Sequence, residues 1–87
     1  MNAEQRELFR LALLRVLDAN NTRHGLTGKA LVHLVIVYGF KPTELEVDEA
    51  IRYLQGKGFV EEVTKKVSPE NRAFRITAEG VDFISAQ

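Results

Sequence analysis

The amino-acid sequence predicts a small α+β domain that is mostly helical, with a bundle of three helices, a β-hairpin of two strands and a short C-terminal helix. Up to Gly58, apolar residues recur at helical spacing in three separate segments. After Gly58, apolar and polar residues alternate as they do in β-strands. The 87 residues suffice for one domain and are too few for two, so we expect residues 1–87 to form a single domain.

The first helix is predicted over residues 3–19, which contain no Gly or Pro and are rich in the helix formers Leu, Ala, Glu and Arg. At about 100° per residue, one face of this helix is continuously apolar. The residues of that face are Phe9, Ala12, Leu13, Val16 and Leu17. Leu11 and Leu14 fall on a different face, and so they add more apolar surface than one contact with a core requires.

The second helix is expected to begin after Thr27, which is a suitable N-cap, and to end near Gly39. Its interior contains enough β-branched residues to form a strand, but the spacing of its apolar residues favours a helix. The residues at helical spacing are Leu31, Leu34, Val35 and Tyr38. Val32 and Ile36 lie about 100–140° away from the face of Leu31 and Val35.

The surplus apolar residues of these two helices are Leu11, Leu14, Val32 and Ile36. They either wrap around a compact core or form a surface that a partner covers. If a partner covers them, a homodimer is the simplest choice, because symmetric dimers are the commonest assemblies.

The third helix is predicted to begin at Thr43, after a turn over residues 40–42. Thr43 and Glu46 have the spacing of a capping box, in which each side chain satisfies the free backbone N–H of the other. The core stripe of this helix is Val47, Ala50, Ile51 and Leu54. The glycines Gly56 and Gly58 are expected to stop the helix.

A β-hairpin is predicted next, with strands over residues 59–67 and 72–76 and a turn over residues 68–71. Phe74 and Ile76 point to one face of the second strand and Arg75 to the other. Thr77 is expected to cap a last short helix, over residues 78–87.

Catalysis and metal binding find no support in the sequence. The chain has no cysteine, and its two histidines have no carboxylate at the spacing of a metal site. Gly28 and Lys29 resemble the end of a phosphate-binding loop, but Ala30 replaces the required Ser or Thr and Arg23 replaces the first Gly. We therefore expect no enzyme, no metal and no cofactor.

The absence of cysteine is compatible with a reducing compartment, and we expect a cytoplasmic protein. The N-terminus lacks the basic start of a signal peptide. The longest apolar run, over residues 31–38, is far shorter than the roughly 20 residues of a membrane span, so no membrane partner is expected.

Two phrases of the sequence carry a resemblance to a known family. Leu54…Gly58-Phe59-Val60 resembles the end of the third helix in winged helix-turn-helix regulators of the MarR and PadR types. Ile76-Thr77-Ala78-Glu79-Gly80 resembles the exit from their wing, as the hairpin is called. The resemblance covers nearly the whole chain, and it implies a short first strand at Gly25-Leu26-Thr27. It also implies a dimer formed through the terminal helices.

The resemblance implies a small transcriptional regulator that binds double-stranded DNA, with the third helix in the major groove and the wing on the backbone. The implied contacts on the wing are Lys65, Lys66 and Arg72. The implied contacts on the third helix and its approach are Lys41, Thr43, Glu46, Glu49 and Arg52.

Local charge qualifies this implication, because the net charge of the whole chain is zero. Residues 43–55 carry four acids and one arginine, a charge of −3 that opposes contact with phosphates. The helix dipole, the capping box and an Asp48–Arg52 pair account for three of these acids, but not for Glu49. Residues 64–75 carry four bases and one acid, a charge of +3 that suits a phosphate contact.

A second function stays open, because winged helices also serve as protein-interaction modules. In that function the acidic third helix, or the surface around Val32 and Ile36, docks a protein and no DNA is bound. The wing lysines would then only keep the hairpin from pairing with other sheets.

Overall fold

A computed structural model describes residues 1–63 and 72–87. The helices are α1 (Ala3–Ala19), α2 (Gly28–Leu34), α3 (Glu44–Gly56) and α4 (Ala78–Ser85). The strands are β1 (Leu26–Thr27), β2 (Val60–Val63) and β3 (Ala73–Ile76). This is the mostly helical α+β fold that the sequence predicts, and each predicted helix and strand is confirmed within the described residues. The predicted turn over residues 68–71 lies outside them.

The second helix ends earlier than predicted. After Leu34 the chain tightens into a short 3-10 helix over Val35–Tyr38, and it turns away at Gly39, whose φ is 88°. Only a glycine adopts this left-handed backbone without strain. The 3-10 turn rotates its residues relative to a continued α-helix, so the spacing that predicted the helix does not describe the orientation of Ile36 or Tyr38.

Each of the helices α1 to α4 begins at a residue whose side chain caps the helix. The predicted capping box is present: the Thr43 hydroxyl oxygen accepts from the Glu46 amide at 3.1 Å, and a Glu46 carboxylate oxygen accepts from the Thr43 amide at 2.9 Å. Thr27 and Thr77 cap α2 and α4 as predicted. The sequence reasoning missed a second capping box at α1, in which Asn2 and Gln5 exchange the same two bonds.

The sheet has three antiparallel strands in the order β1-β3-β2. Leu26 of β1 pairs with Phe74, and Val60 of β2 pairs with Ile76. The short first strand that the resemblance implied is therefore present. β3 pairs with β2 within the hairpin, and its other edge pairs with β1, which joins the hairpin to the rest of the domain.

The core surrounds α1, which contributes six buried side chains from more than one of its faces. Leu13 and Leu14 are both 0% exposed. Residues of the other elements close around them, with the following buried members: Leu31, Val35, Val47, Ala50, Ile51, Leu54, Val60, Phe74, Ile76 and Ile84. A helix in the middle of a small domain needs an apolar surface wider than one face, because neighbours cover it from several directions.

The junction between β3 and α4 is tied to the end of α3. The Thr77 amide donates to the Phe59 carbonyl oxygen at 2.9 Å, and the Thr77 hydroxyl donates to the Gly58 carbonyl oxygen at 2.6 Å. A Cβ atom on Gly80 would collide with that same Phe59 carbonyl oxygen. The two phrases that resemble winged helices therefore meet in space, and the glycine of the second lets α4 approach the first.

We expect Gly80→Ala to lower the free energy of unfolding by about 1–3 kcal/mol, because the added methyl group forces α4 away from Phe59. Urea denaturation followed by circular dichroism measures this change. Gly56→Ala is the matched control: Gly56 also lies in a helix, and an added Cβ there meets nothing within 4 Å. It should leave stability unchanged or raise it by up to about 1 kcal/mol. Equal effects at the two positions would contradict the packing argument.

Candidate nucleic-acid interface

The outer face of α3 is the first part of the candidate interface. Its buried stripe of Val47, Ala50, Ile51 and Leu54 faces the core. Leu45, in the first turn, is 65% exposed, and Arg52 is exposed two turns later on the same side. Sequence reasoning selected Arg52 but missed Leu45, because an apolar residue in an amphipathic helix is usually assigned to the core.

Three of the acids on α3 have partners within the domain. A Glu46 carboxylate oxygen accepts from the Thr43 amide as part of the cap. Asp48 and Arg52 form the predicted pair, with 2.9 Å between Oδ2 and Nη2. Glu44 lies in the first turn, where the positive end of the helix dipole stabilises a carboxylate. These three acids therefore have local structural roles, and the charge of −3 on the segment, which already counts Arg52, is unchanged.

Glu49 lies on the flank of α3 that faces α1. It borders a small groove of about 170 Å³, together with Glu46 and Ala50 from α3. Arg6 and Arg10 of α1 line the same groove. Two arginines thus line the same groove as the carboxylate for which the sequence offered no explanation, although neither forms an ion pair with it among the described residues.

The base of the wing carries two ion pairs between its strands. Glu62 Oε1 accepts from Arg72 Nε at 3.0 Å and from Arg72 Nη2 at 2.6 Å. Glu61 Oε1 accepts from Arg75 Nε at 2.5 Å. The hydrogen bond to Glu62, and then the charges of Glu62 and Asp48, raise the pKa of the Arg72 guanidinium.

These pairs correct the charge of the wing. The charge of +3 counted over residues 64–75 includes both arginines but leaves out Glu61 and Glu62. Among the described residues, the two arginines and the two glutamates cancel. The remaining bases of the wing are Lys65 and Lys66, which lie outside the described residues. The net charge of the wing therefore depends on Lys65 and Lys66, and not on Arg72 and Arg75.

The two ion pairs lie on opposite faces of the hairpin, because side chains alternate along a strand. Glu62 and Arg72 share the face of the buried residues Val60, Phe74 and Ile76. Glu61 and Arg75 lie on the other face. Because Val60, Phe74 and Ile76 pack in the core with the helices, the Glu62–Arg72 pair lies on the helical side of the sheet.

Lys29 and Lys41 are exposed near the two ends of the segment formed by α2 and its 3-10 turn. Neither has an ion-pair partner among the residues that the structure describes. Thr43 is exposed beside Lys41, although its hydroxyl already caps α3. Lys29 and Lys41 are therefore available to contact a phosphate, as far as the described residues show.

An apolar groove of about 410 Å³ lies between α1, the end of α3 and α4. The aromatic rings of Phe59 and Phe83 stack in it with their centroids 4.7 Å apart. The Arg10 guanidinium lies 3.6 Å from the centre of the Tyr53 ring, and Leu11 lines the wall. The dimer surface that the resemblance implied on the terminal helices includes Leu11, Leu14 and the segment of Phe83, but not Tyr53 or Phe59.

The four residues of the predicted partner surface do not share one environment in the structure. Leu14 is part of the core, and Val32 is half-buried against it, so for these two residues the alternative of a compact core applies. Ile36 is half exposed, next to Val37, whose exposed fraction is 84%. Leu11 lies in the apolar groove. An exposed apolar surface thus remains, but Leu14 does not contribute to it.

We expect Leu14→Ala to lower the free energy of unfolding by about 2–5 kcal/mol, because it leaves a cavity in the core. Ile36→Ala removes a half-exposed side chain of similar size and should cost less than about 1 kcal/mol. Thermal and urea denaturation of the two variants measure the difference. A small loss for Leu14→Ala would mean that this side chain is not enclosed by the domain.

No group of three or more His, Asp or Glu residues among the described residues could hold a metal ion. Within residues 1–63 and 72–87, no helix is long and apolar enough to cross a membrane.

No protein-family model matches the chain, and no curated protein matches it either. Among solved structures, a MarR family transcription regulator superposes with a TM-score of 0.72 at 18% identity, over 90% of this chain and 46% of that chain. The structure of SSV1 F-93 gives a TM-score of 0.60 at 19% identity, over 88% of this chain and 79% of that chain. The chain spans less than half the length of the MarR family regulator. These similarities show that the fold is that of a winged helix.

Proposed function

We propose that this winged-helix domain binds double-stranded DNA as a small transcriptional regulator. In this proposal α3 enters the major groove, while Lys41 and the wing hold the backbone. The observation that carries it is the exposed outer side of α3, from which Leu45 and Arg52 project, with Lys41 exposed in the turn before it. Glu49, the acid that the sequence left unexplained, borders a groove that two arginines of α1 also line.

The side chains proposed for base edges are Arg52 and Leu45, which project from the outer side of α3. An arginine donates to guanine and an apolar side chain contacts the methyl group of thymine. Glu46 and Glu49, which the resemblance placed here, are better explained as a cap and as part of the groove with α1. Thr43 and Lys41 approach from the turn before α3.

The proposed backbone contacts are Lys65, Lys66 and Arg72 of the wing, with Lys29 and Lys41 at the ends of the α2 segment. Contacts with phosphates release counterions, and they therefore give an affinity that falls steeply with salt. Few cations are available here, so we expect weak binding to DNA of mixed sequence. Specific sites would add base contacts to this non-specific affinity.

Fluorescence anisotropy with mixed-sequence duplex DNA tests the function at about 50 mM and about 200 mM salt. We expect binding at the lower concentration and a large loss at the higher one. The charge reversals Lys65→Glu and Lys66→Glu together should weaken binding at least about tenfold, across all sequences. Lys57→Glu is the control, because Lys57 lies at the opposite end of α3 from Lys41 and Thr43; since Lys57 also lines the apolar groove, light scattering verifies that this variant keeps the assembly of the wild type. Absence of binding by the folded wild-type protein at low salt would refute the function.

A protein-interaction module is the second candidate, and the apolar groove favours it. The groove is a concave surface formed by α1, the end of α3 and α4, and it is lined by Leu8, Leu11, Tyr53 and Phe83. Leu8 is 52% exposed. The partner we propose for this groove is a second copy of the chain. The same groove would serve a regulator that binds DNA as a homodimer, so the two candidates differ in DNA binding and not in assembly.

Light scattering of the purified protein tests the homodimer. We expect a dimer, and we expect Leu8→Lys to give a monomer because a lysine at the rim of the groove opposes burial. Val37→Lys is the control, since Val37 is more exposed than Leu8 and lies outside the groove. A wild-type monomer at high protein concentration would contradict the homodimer. Dissociation by both variants would contradict the assignment to the groove.

A further inference from the structure

We propose that Glu62 is an internal competitor of DNA, because it occupies the Arg72 guanidinium that the wing would otherwise offer to a phosphate. The proposal rests on the proposed DNA-binding function and adds a device that limits it. It concerns the face of the hairpin that lies on the helical side of the sheet.

The geometry of the pair is the first argument. Two donors of Arg72, Nε and Nη2, converge on one oxygen of Glu62 at 3.0 and 2.6 Å. An arginine grips a phosphate with the same two kinds of donor. Contact with DNA through this edge of the guanidinium therefore requires that Glu62 be displaced.

Charge is the second argument. The carboxylate of Glu62 cancels the charge of Arg72 locally. Donors of Arg72 that do not contact Glu62 can still reach a phosphate, but the charge that would attract the phosphate is offset. The charge of Arg72 is thus already balanced before DNA arrives.

Exposure is the third argument. The side chains of Arg72 and Glu62 are 45% and 39% exposed, so water reaches both partners and the pair can open without burying an unpaired charge. Phe74 supports Arg72 from below, with its ring centre 5.5 Å from the guanidinium carbon. Arg72 therefore keeps its place on the sheet when it exchanges one anion for another.

The test is Glu62→Gln in the full chain, with the same duplex DNA at several salt concentrations. Removal of the competing charge should tighten binding by about threefold to tenfold at low salt. The slope of log K against log salt should become steeper by about one, because one more phosphate is neutralised. Arg72→Gln, added to Glu62→Gln, should abolish both gains.

Glu61→Gln is the matched control. It removes the same charge from the same strand, one residue away, but from the face that carries Arg75. A general reduction of negative charge would improve binding equally in both variants, whereas competition for Arg72 improves it in Glu62→Gln alone. Circular dichroism of each variant verifies that the fold is retained.

The outcomes separate this proposal from the function on which it rests. Unchanged or weaker binding by Glu62→Gln, with the wild type bound to DNA, overturns the competitor and leaves the function intact. Weaker binding would mean that Glu62 positions Arg72 instead of occupying it. Tighter binding by Glu62→Gln than by a wild type that also binds DNA supports both proposals, and absence of binding by the wild type and every variant at low salt overturns both.

Discussion

The placement of the wing depends on one contact, the junction at which Thr77 meets the end of α3. Its amide donates to the Phe59 carbonyl oxygen and its hydroxyl to the Gly58 carbonyl oxygen, while Gly80 lets the backbone of α4 approach the same residue. Because Gly58 lies two residues after α3 and Thr77 follows β3 directly, these bonds join the helix proposed to read DNA to the hairpin proposed to hold it. Together with the pairing of β3 to β1, they set the position of the hairpin relative to α3.

Much of the fold follows from local chemistry that a sequence reveals. The capping residues Thr27, Thr43 and Thr77 and the turn at Gly39 mark the ends of helices, because each satisfies a backbone requirement within a few residues of itself. The shortening of the second helix to a 3-10 turn and the burial of Leu14 were not predictable in this way. Both depend on what packs around the helix, which spacing along one segment does not contain.

The candidate site was harder to predict than the fold, for a related reason. Counting charges along the chain separated Arg72 from Glu62 and Glu49 from the arginines of α1, although in each case the two lie together in space. The partner of a charge on a strand lies on the neighbouring strand, ten residues away for Glu62. Fewer of the cations that the sequence identified are therefore available in the folded domain, because Arg72 and Arg75 pair with acids of the neighbouring strand.

In the proposed function, the pairing of arginines with glutamates links the strength of DNA binding to the formation of a homodimer. Phosphate contacts supply most of the non-specific affinity of a DNA-binding protein, and one domain with occupied arginines offers few of them. Two domains joined through the groove of Leu8 and Phe83 would bind two half-sites, and the second contact would then form at a high effective concentration. A weak contact in each domain is thus compatible with firm binding by a dimer, provided that both wings reach DNA together. Weak binding by a single domain would also make the occupancy of DNA depend steeply on dimerisation. The apolar groove would then control DNA binding as much as the Glu62–Arg72 pair does.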